Sequence, residues 1–497
     1  MAVLASILYL LLGVPLFCLV VFTVYLYQQH AKYDHLPGPK RNGFFSGHMP
    51  MVKKRRTREK VIIHQIWADL AIQFNPLYVF WFFHRPVVMI SDAALVKEVL
   101  IKLDLPKDPF GYSHFANLFG QRLLGGSLLS EVDHQSWKKK RAHLNPAFHH
   151  KFIASLMDQF NQSCDLFLNK LLTLADGETE VSMSEELVRL ALDVVGKVAY
   201  DLDVNAIDSP DAPIPTNTRI ALEGLVQSFR RPFMFFQPST YPYQNECIKS
   251  VKFLREAAKG VIQARMDAVQ KQEDSHSDIL TYILRIAEND PTTTMDDLVD
   301  HFITFIVGGQ ETTSNHISFT LLGILLHPEV EQKVLAEIDE VLGSRRSVTT
   351  EDLSKLTYLD QTIKEALRLH PPQPAITRVT KEDTNLGGYV IPAGTSVMCD
   401  AHVLQHNPKY WDDPEKYDPE RFNAENKAKI EHYAYFPFSL GSHNCIGSSF
   451  AQLETKLVLA RLIQSFKIKL LPGQELKAVE QMTLRPKDGV RVTLVAR

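Results

Sequence analysis

Apolar and polar positions follow three different patterns along this 497-residue chain. Residues 1–31, MAVLASILYLLLGVPLFCLVVFTVYLYQQHA, show no alternation, and no ionised side chain occurs before Lys32. An apolar run of about 20 residues spans the hydrocarbon core of a bilayer, and Pro15 is tolerable in such a helix. The run lacks a basic start and a small-residue cleavage motif, and it is longer than the apolar core of a signal peptide. It reads as a membrane anchor. Further along, LVRLALDVVGKVAY (187–200), VEQKVLAEIDEVLG (330–343) and YLDQTIKEALRLH (358–370) repeat apolar residues at three-to-four spacing, the period of amphipathic helices. Thr294 and Asp297 form a capping pair that opens a helix of about thirty residues, ending near Pro328. Short strand-like runs lie towards both ends: YVFWFF (78–83), VVMIS (87–91) and GVRVTLVA (489–496). The pattern predicts a mainly α protein with a small β portion.

Composition and charge divide the chain into an anchor over 1–31, a basic, proline-rich hinge over 32–60, and one large domain over 61–497. Leu36-Pro37-Gly38-Pro39 cannot continue a helix and turns the chain stiffly away from the membrane. Nine basic residues between Lys32 and Lys60 face only Asp34 and Glu59. By the positive-inside rule they keep everything after the anchor in the cytoplasm. Asn161-Gln162-Ser163, a glycosylation sequon by pattern, then never meets the lumenal machinery. Lys+Arg total 54 against 57 Asp+Glu, which gives no global hint of nucleic-acid binding. The five cysteines are widely spaced with no CxxC, against a disulfide framework or a structural zinc site. GxGxxG, GxxxxGK[ST] and HExxH are absent. His402 and His406 sit four apart but lack a third ligand nearby, and His149-His150 reads as an exposed pair at a helix start.

The chemistry concentrates in YFPFSLGSHNCIGSSFAQLE, Tyr435–Glu454. A lone cysteine is ordinarily a small hydrophobe, but Cys445 stands between Gly441 and Gly447, which let a large flat group approach the backbone closely. The preceding turn is expected to aim N–H groups at its sulfur, and a helix starting near Ile446 presents its positive end. Both favour thiolate. A thiolate without a cysteine partner is most useful as a metal ligand, and a single protein ligand points to a haem.

Phe438-x-x-Gly441-x-His443-x-Cys445-x-Gly447 resembles the haem-thiolate fingerprint of the cytochrome P-450 family, with His443 where the family usually has Arg. Gly308, Gly309, Glu311 and Thr312, inside the long helix, resemble the family's oxygen-activation motif. Close packing against another helix is the other reading of the two glycines. The resemblance implies a single large cytochrome P-450 fold behind the anchor, with haem b held by Cys445. It implies propionate or pocket contacts from Trp137, Arg141, Arg378, Phe438, Gly441, His443 and Gly447. Thr312 and Glu311 would relay protons, and Glu365, Arg368 and Arg421 would form a structural ionic cluster behind the haem. The chain has no nicotinamide or flavin site of its own, so electrons come from a separate NADPH-dependent flavoprotein reductase, drawn to a basic face at Lys138–Lys140. The implied setting is the endoplasmic reticulum membrane, crossed once, with the catalytic domain cytoplasmic. The partners are the bilayer, O2 and a lipophilic substrate, with no nucleic acid.

YDHLPGPKRNGFFSGHMP, VGGQETTSNHISFT and YFPFSLGSHNCIG are similar to the cholesterol 24-hydroxylase branch, which implies attack on a sterol side chain. A fatty-acid or xenobiotic hydroxylase of the same fold is the alternative. A haem-thiolate isomerase or a haem carrier or sensor would have no use for Glu311-Thr312. Phe229–Pro242 either dips into the bilayer surface or forms an ordinary apolar interhelix segment. The resemblance implies that the loop after the Glu365 helix, Gln373–Thr377, overhangs the haem, with Pro374-Ala375-Ile376 offering aliphatic contacts to a sterol or a fatty acyl chain alike.

Overall fold

The strand-like runs become a four-stranded sheet built from both halves of the chain. Leu77–Phe82 pairs antiparallel with Arg85–Ile90, which runs parallel to Ser396–Asp400, and Ala375–Val379 closes the far edge antiparallel. The computed structural model describes residues 2–231, 233–273 and 277–497. Met1 of the expected anchor and Pro232 of the aromatic segment lie outside the described residues.

Met295–Leu326 is the axis of the helical part. Its start is a capping box, with Thr294 and Asp297 satisfying each other's backbone N–H groups. It stops one residue before Pro328, as the missing proline N–H and ring require. Met183–Tyr200, Pro328–Leu342, Thr357–Leu369 and Ser448–Ser465 pack around it, the first three along the apolar stripe their spacing predicts. One hydrophobic cluster surrounds this axis, and a second fills the space beneath the sheet.

Asp300, fully buried in the long helix, accepts from Arg122 Nε and Nη2, Arg255 Nη1 and the Gly126 N–H. The network ties the 121–131 loop and the Tyr241–Gln270 helix to the axis. All acceptor positions are used, so this buried charge is compensated.

The stretch Leu12–Tyr33 is apolar and long enough to cross a membrane, and it is almost wholly unburied by the rest of the protein. Leu36–Pro39 leaves it and lies against the sheet, where Pro37 O accepts from Val79 N–H at 2.8 Å. Part of the 32–60 segment is helical, Met49–Arg58, and Arg55 pairs with Asp69 at 2.7 Å. Asn161 is buried and bonded to Met157 O and to both polar backbone groups of Val348. Its amide is therefore a fold contact, whichever side of a membrane it occupies. His149 caps the helix His150–Ala154, and both histidines of that pair are exposed.

Candidate active site

The cysteine loop is bent by two left-handed residues, Ser439 (φ +63°) and Gly441 (φ +72°). Gly441 cannot be replaced freely, because a Cβ there would stand 2.0 Å from Leu100 O. The turn closes through Cys445 N–H donating to Phe438 O at 2.8 Å. Cys445 keeps an accessible side chain, and the helix behind it begins at Ser448, two residues later than its sequence predicts. Enclosure by the surrounding protein pushes the Cys445 thiol up, against the Gly447 N–H and Arg141. The Gly447 N–H and Arg141 both favour the thiolate, the direction expected of the turn, against the larger opposing effect of desolvation.

Beside the loop, Trp137 is buried and stacks on His443, ring centroids 3.5 Å apart. Arg141 donates to Asn444 O at 2.6 Å and to Asn444 Oδ1 at 2.7 Å, so it grips the residue before Cys445. Arg378 is buried on strand Ala375–Val379, with Nη1 on Thr377 O and on the Tyr112 hydroxyl. Lys107, which sequence reasoning missed, is buried with Nζ on Leu128 O and Leu129 O, and burial pushes it down to about 7. Only tertiary structure brings it here; LPKDPF carries no motif. Burial, then Arg378 and Lys107, push His443 down to about 2. Its Nδ1 is buried with no hydrogen-bond partner. Cations gathered round an orphaned neutral donor or acceptor make a cradle for an anionic group. A haem, with its carboxylate side chains, fits it.

The long helix carries the second group of candidate residues. It stays helical throughout, yet Gly308 is exposed and its Cβ position meets nothing within 4 Å. Gly309 differs, since its Cβ would stand 2.8 Å from Val195 Cγ2 on the neighbouring helix. The two sequence readings thus divide between adjacent residues: Gly308 opens a space and Gly309 permits close packing. Gly308→Ala should raise stability by roughly 1 kcal/mol through helix propensity. Gly309→Ala should lower it by about 1–3 kcal/mol through overpacking, and paired melting curves of the two variants check the contrast. Thr312 Oγ1 donates to Gly308 O at 2.6 Å. Glu311 accepts from the Thr483 hydroxyl at 2.9 Å, and that hydroxyl accepts from Asn315 Nδ2. Burial raises the Glu311 carboxyl above its ordinary value. An acid and a hydroxyl on successive residues, beside an accessible glycine, can hold and pass protons.

The family description "Cytochrome P450" matches residues 37–494. The chain belongs to the cytochrome P450 family. It is 30% identical over 434 residues to cytochrome P450 3A41 of Mus musculus, covering 83% of each chain. It is also 30% identical over 446 residues to cytochrome P450 4d2 of Drosophila melanogaster, covering 86% of this chain and 87% of that one. The crystal structure of the cytochrome P450DA heme domain superposes with a TM-score of 0.81 at 24% identity, over 93% of this chain and 98% of that one. The protein is thus a haem-thiolate monooxygenase of cytochrome P450 fold.

Behind the P450 cysteine loop, Arg368 and Glu365 are fully buried and joined at 2.7 and 2.9 Å. Arg421 stands 3.4 Å from Glu365 Oε1, but its Nε makes no hydrogen bond, so the expected three-residue cluster is a tight pair with a looser third member. Of the expected basic face, Lys138 and Lys139 are exposed, Lys139 pairing with Asp290 at 2.5 Å, while Lys140 turns inward to Glu131 and Gly126 O. Ile376 is buried in the sheet core, and its half-buried neighbours Ala375 and Thr377 take the other side of the strand. Pro374-Ala375-Ile376 therefore does not act as one aliphatic overhang. His402 and His406 stack on each other in the interior, and the described residues hold no metal-binding cluster of His, Cys, Asp or Glu.

Proposed function

We propose that this P450 hydroxylates a sterol side chain, in the manner of the cholesterol 24-hydroxylase branch its three motif stretches resemble. Cys445 is the thiolate ligand of haem b. Lys107, Arg378 and His443 receive the propionates, Trp137 backs His443, and Arg141 clamps Asn444. Phe438, Gly441 and Gly447 shape the loop, and Glu365, Arg368 and Arg421 hold it from behind. The observation that carries the reading is the open space at Gly308, within an otherwise buried helix and next to Glu311 and Thr312. Bound haem supplies the one-electron and O2 chemistry that side chains lack. Burial raises the Glu311 carboxyl above its ordinary value, and the Thr312 hydroxyl on the next residue can relay a proton beside it.

Residues 1–31 anchor the protein in the endoplasmic reticulum membrane, residues 32–60 orient it, and residues 61–497 work in the cytoplasm. Electrons arrive from an NADPH-dependent flavoprotein reductase. Phe229, Phe233, Phe235, Phe236 and Tyr241 are exposed around two short turns, which supports their dipping into the bilayer to admit a lipophilic substrate.

Thr312→Ala should cut product formed per NADPH roughly tenfold or more while NADPH oxidation continues. Unchanged coupling would remove Thr312 from the relay. Turnover of reconstituted protein with reductase, NADPH and cholesterol, with the hydroxyl position mapped by mass spectrometry, tests the substrate. A single side-chain hydroxysterol is the expected product. Hydroxylation of fatty acids instead, with no sterol product, would overturn the sterol reading and leave the monooxygenase.

A further inference from the structure

The hydroxyl that touches the Glu311 carboxyl is not that of Thr312. Thr312 Oγ1 donates back to Gly308 O in its own helix, whereas Glu311 Oε1 accepts from Thr483 Oγ1 at 2.9 Å. Thr483 closes the turn of a hairpin in which Ala478–Glu480 pairs antiparallel with Leu484–Pro486. It is buried, as is Asn315, whose Nδ2 donates to the same hydroxyl at 2.8 Å. Asn315 lies one helical turn beyond Glu311, so both stand on the face of the long helix against which the hairpin packs. Other elements brace the hairpin. Leu484 N–H donates to Pro372 O at 2.8 Å. Glu480 Oε1 accepts from Ile63 N–H at 2.6 Å, and its Oε2 pairs with Arg56 at 2.8 Å. Arg230, at the end of the helix Pro213–Arg230, donates to Glu480 O. Thr483 therefore offers its hydroxyl from a fixed position.

We propose that Thr483 is a positioning residue that holds the Glu311 carboxyl in one orientation through Oε1, and that Asn315 fixes the direction of that hydrogen bond. This rests on the reading of Glu311 as an acid of the proton relay. The argument counts donors. A threonine hydroxyl has one proton and two lone pairs, and an amide nitrogen only donates. Asn315 fills a lone pair of Thr483 Oγ1, and the hydroxyl proton goes to Glu311 Oε1. Oε1 is then an acceptor in either protonation state of Glu311, so the proton that the carboxyl takes up and gives away is carried on Oε2. The hydroxyl thus selects both the rotamer and the working oxygen of the acid. A hydrogen bond to a carboxylate also favours its charged form. Burial raises Glu311, and Thr483 opposes that shift through its hydroxyl and its backbone N–H, with Arg485 on the adjoining strand adding its charge in the same direction. Removing the hydroxyl while the burial stays moves the carboxyl further up.

The test is the infrared carboxylic-acid band of Glu311, identified by its loss in Glu311→Gln and titrated in substrate-free holoprotein. Thr483→Val keeps the branched shape and should raise the proton affinity of Glu311 roughly tenfold, the size of one hydrogen bond to a charged group. Thr483→Ala should shift it alike, so the result does not hang on one variant accumulating. Thr483→Ser keeps the hydroxyl and should titrate as wild type. Melting falls in both hydroxyl-free variants whatever the role, because the buried Asn315 amide loses its acceptor, and so does not discriminate. With reductase, NADPH and cholesterol, product per NADPH should drop several-fold in Thr483→Val and Thr483→Ala, its pH profile moving up with the band, and Thr483→Ser should restore both. Wild-type titration in the two hydroxyl-free variants would overturn the proposal and leave Thr483 a packing residue. So would a Thr483→Ser protein that behaves like them. The relay is judged separately: unchanged product per NADPH in Glu311→Gln sinks that reading, while the infrared titration still decides whether Thr483 holds Glu311.

Discussion

Arg368→Ala is expected to give a chain that accumulates without haem. Arg368 donates to Glu365 through Nε and Nη2, and to Gln405 O, Pro414 O and Lys416 O at 2.8, 2.7 and 3.1 Å. The carbonyls belong to the segment that leads into the cysteine loop. Gln405 continues the link, its Nε2 on Leu367 O and Arg368 O and its Oε1 accepting from Phe436 N–H. Truncation leaves three carbonyls short of a donor and Glu365 buried without its main partner. Burial already raises the Glu365 carboxyl, with Arg368 opposing the shift. Breaking such a pair costs roughly 3–5 kcal/mol, against a total stability of about 5–15 kcal/mol for a typical protein. Arg421→Ala should be milder, since Arg421 holds Glu365 without a hydrogen bond. Haem per polypeptide and the melting temperature check both variants. A haem-loaded Arg368→Ala protein with near-native melting would contradict the assigned role.

Cys445→Ser is expected to abolish turnover entirely. A serine hydroxyl retains the loop's size but does not ionise to a soft anionic ligand. The other cysteines offer no substitute. Cys164 and Cys399 are fully buried, with burial pushing each thiol up to about 12, and Cys247 is pushed up to about 11. Cys18 sits in the apolar N-terminal helix. Cys247→Ser should therefore keep its turnover, which makes it a control for handling and folding. Residual turnover in Cys445→Ser would point to another ligand.

The sequence made legible whatever is encoded over short stretches. The capping pair at Thr294 and Asp297, the stop before Pro328 and the Glu365–Arg368 contact all follow from spacing within one or two helical turns. Cys445 was legible because its glycines and turn lie within a few residues of it. Lys107 and Thr483 were not, because each reaches its partners through chain reversal. Lys107 bonds carbonyls about twenty residues away, and Thr483 meets Glu311 across 172 positions. The basic run Lys138–Lys140 divides for a related reason. A helix turns successive residues in different directions, so Lys139 and Lys140 found separate acidic partners. Adjacent glycines diverged likewise, with Gly308 on open space and Gly309 on Val195.

Thiolate ligation by Cys445 is read most directly in the absorption spectrum of the reduced CO complex, recorded on purified holoprotein beside Cys445→Ser. A thiolate-type band is expected in the wild-type protein and its absence in the variant. An imidazole-type band in the wild type, or a thiolate-type band that survives in Cys445→Ser, would contradict it.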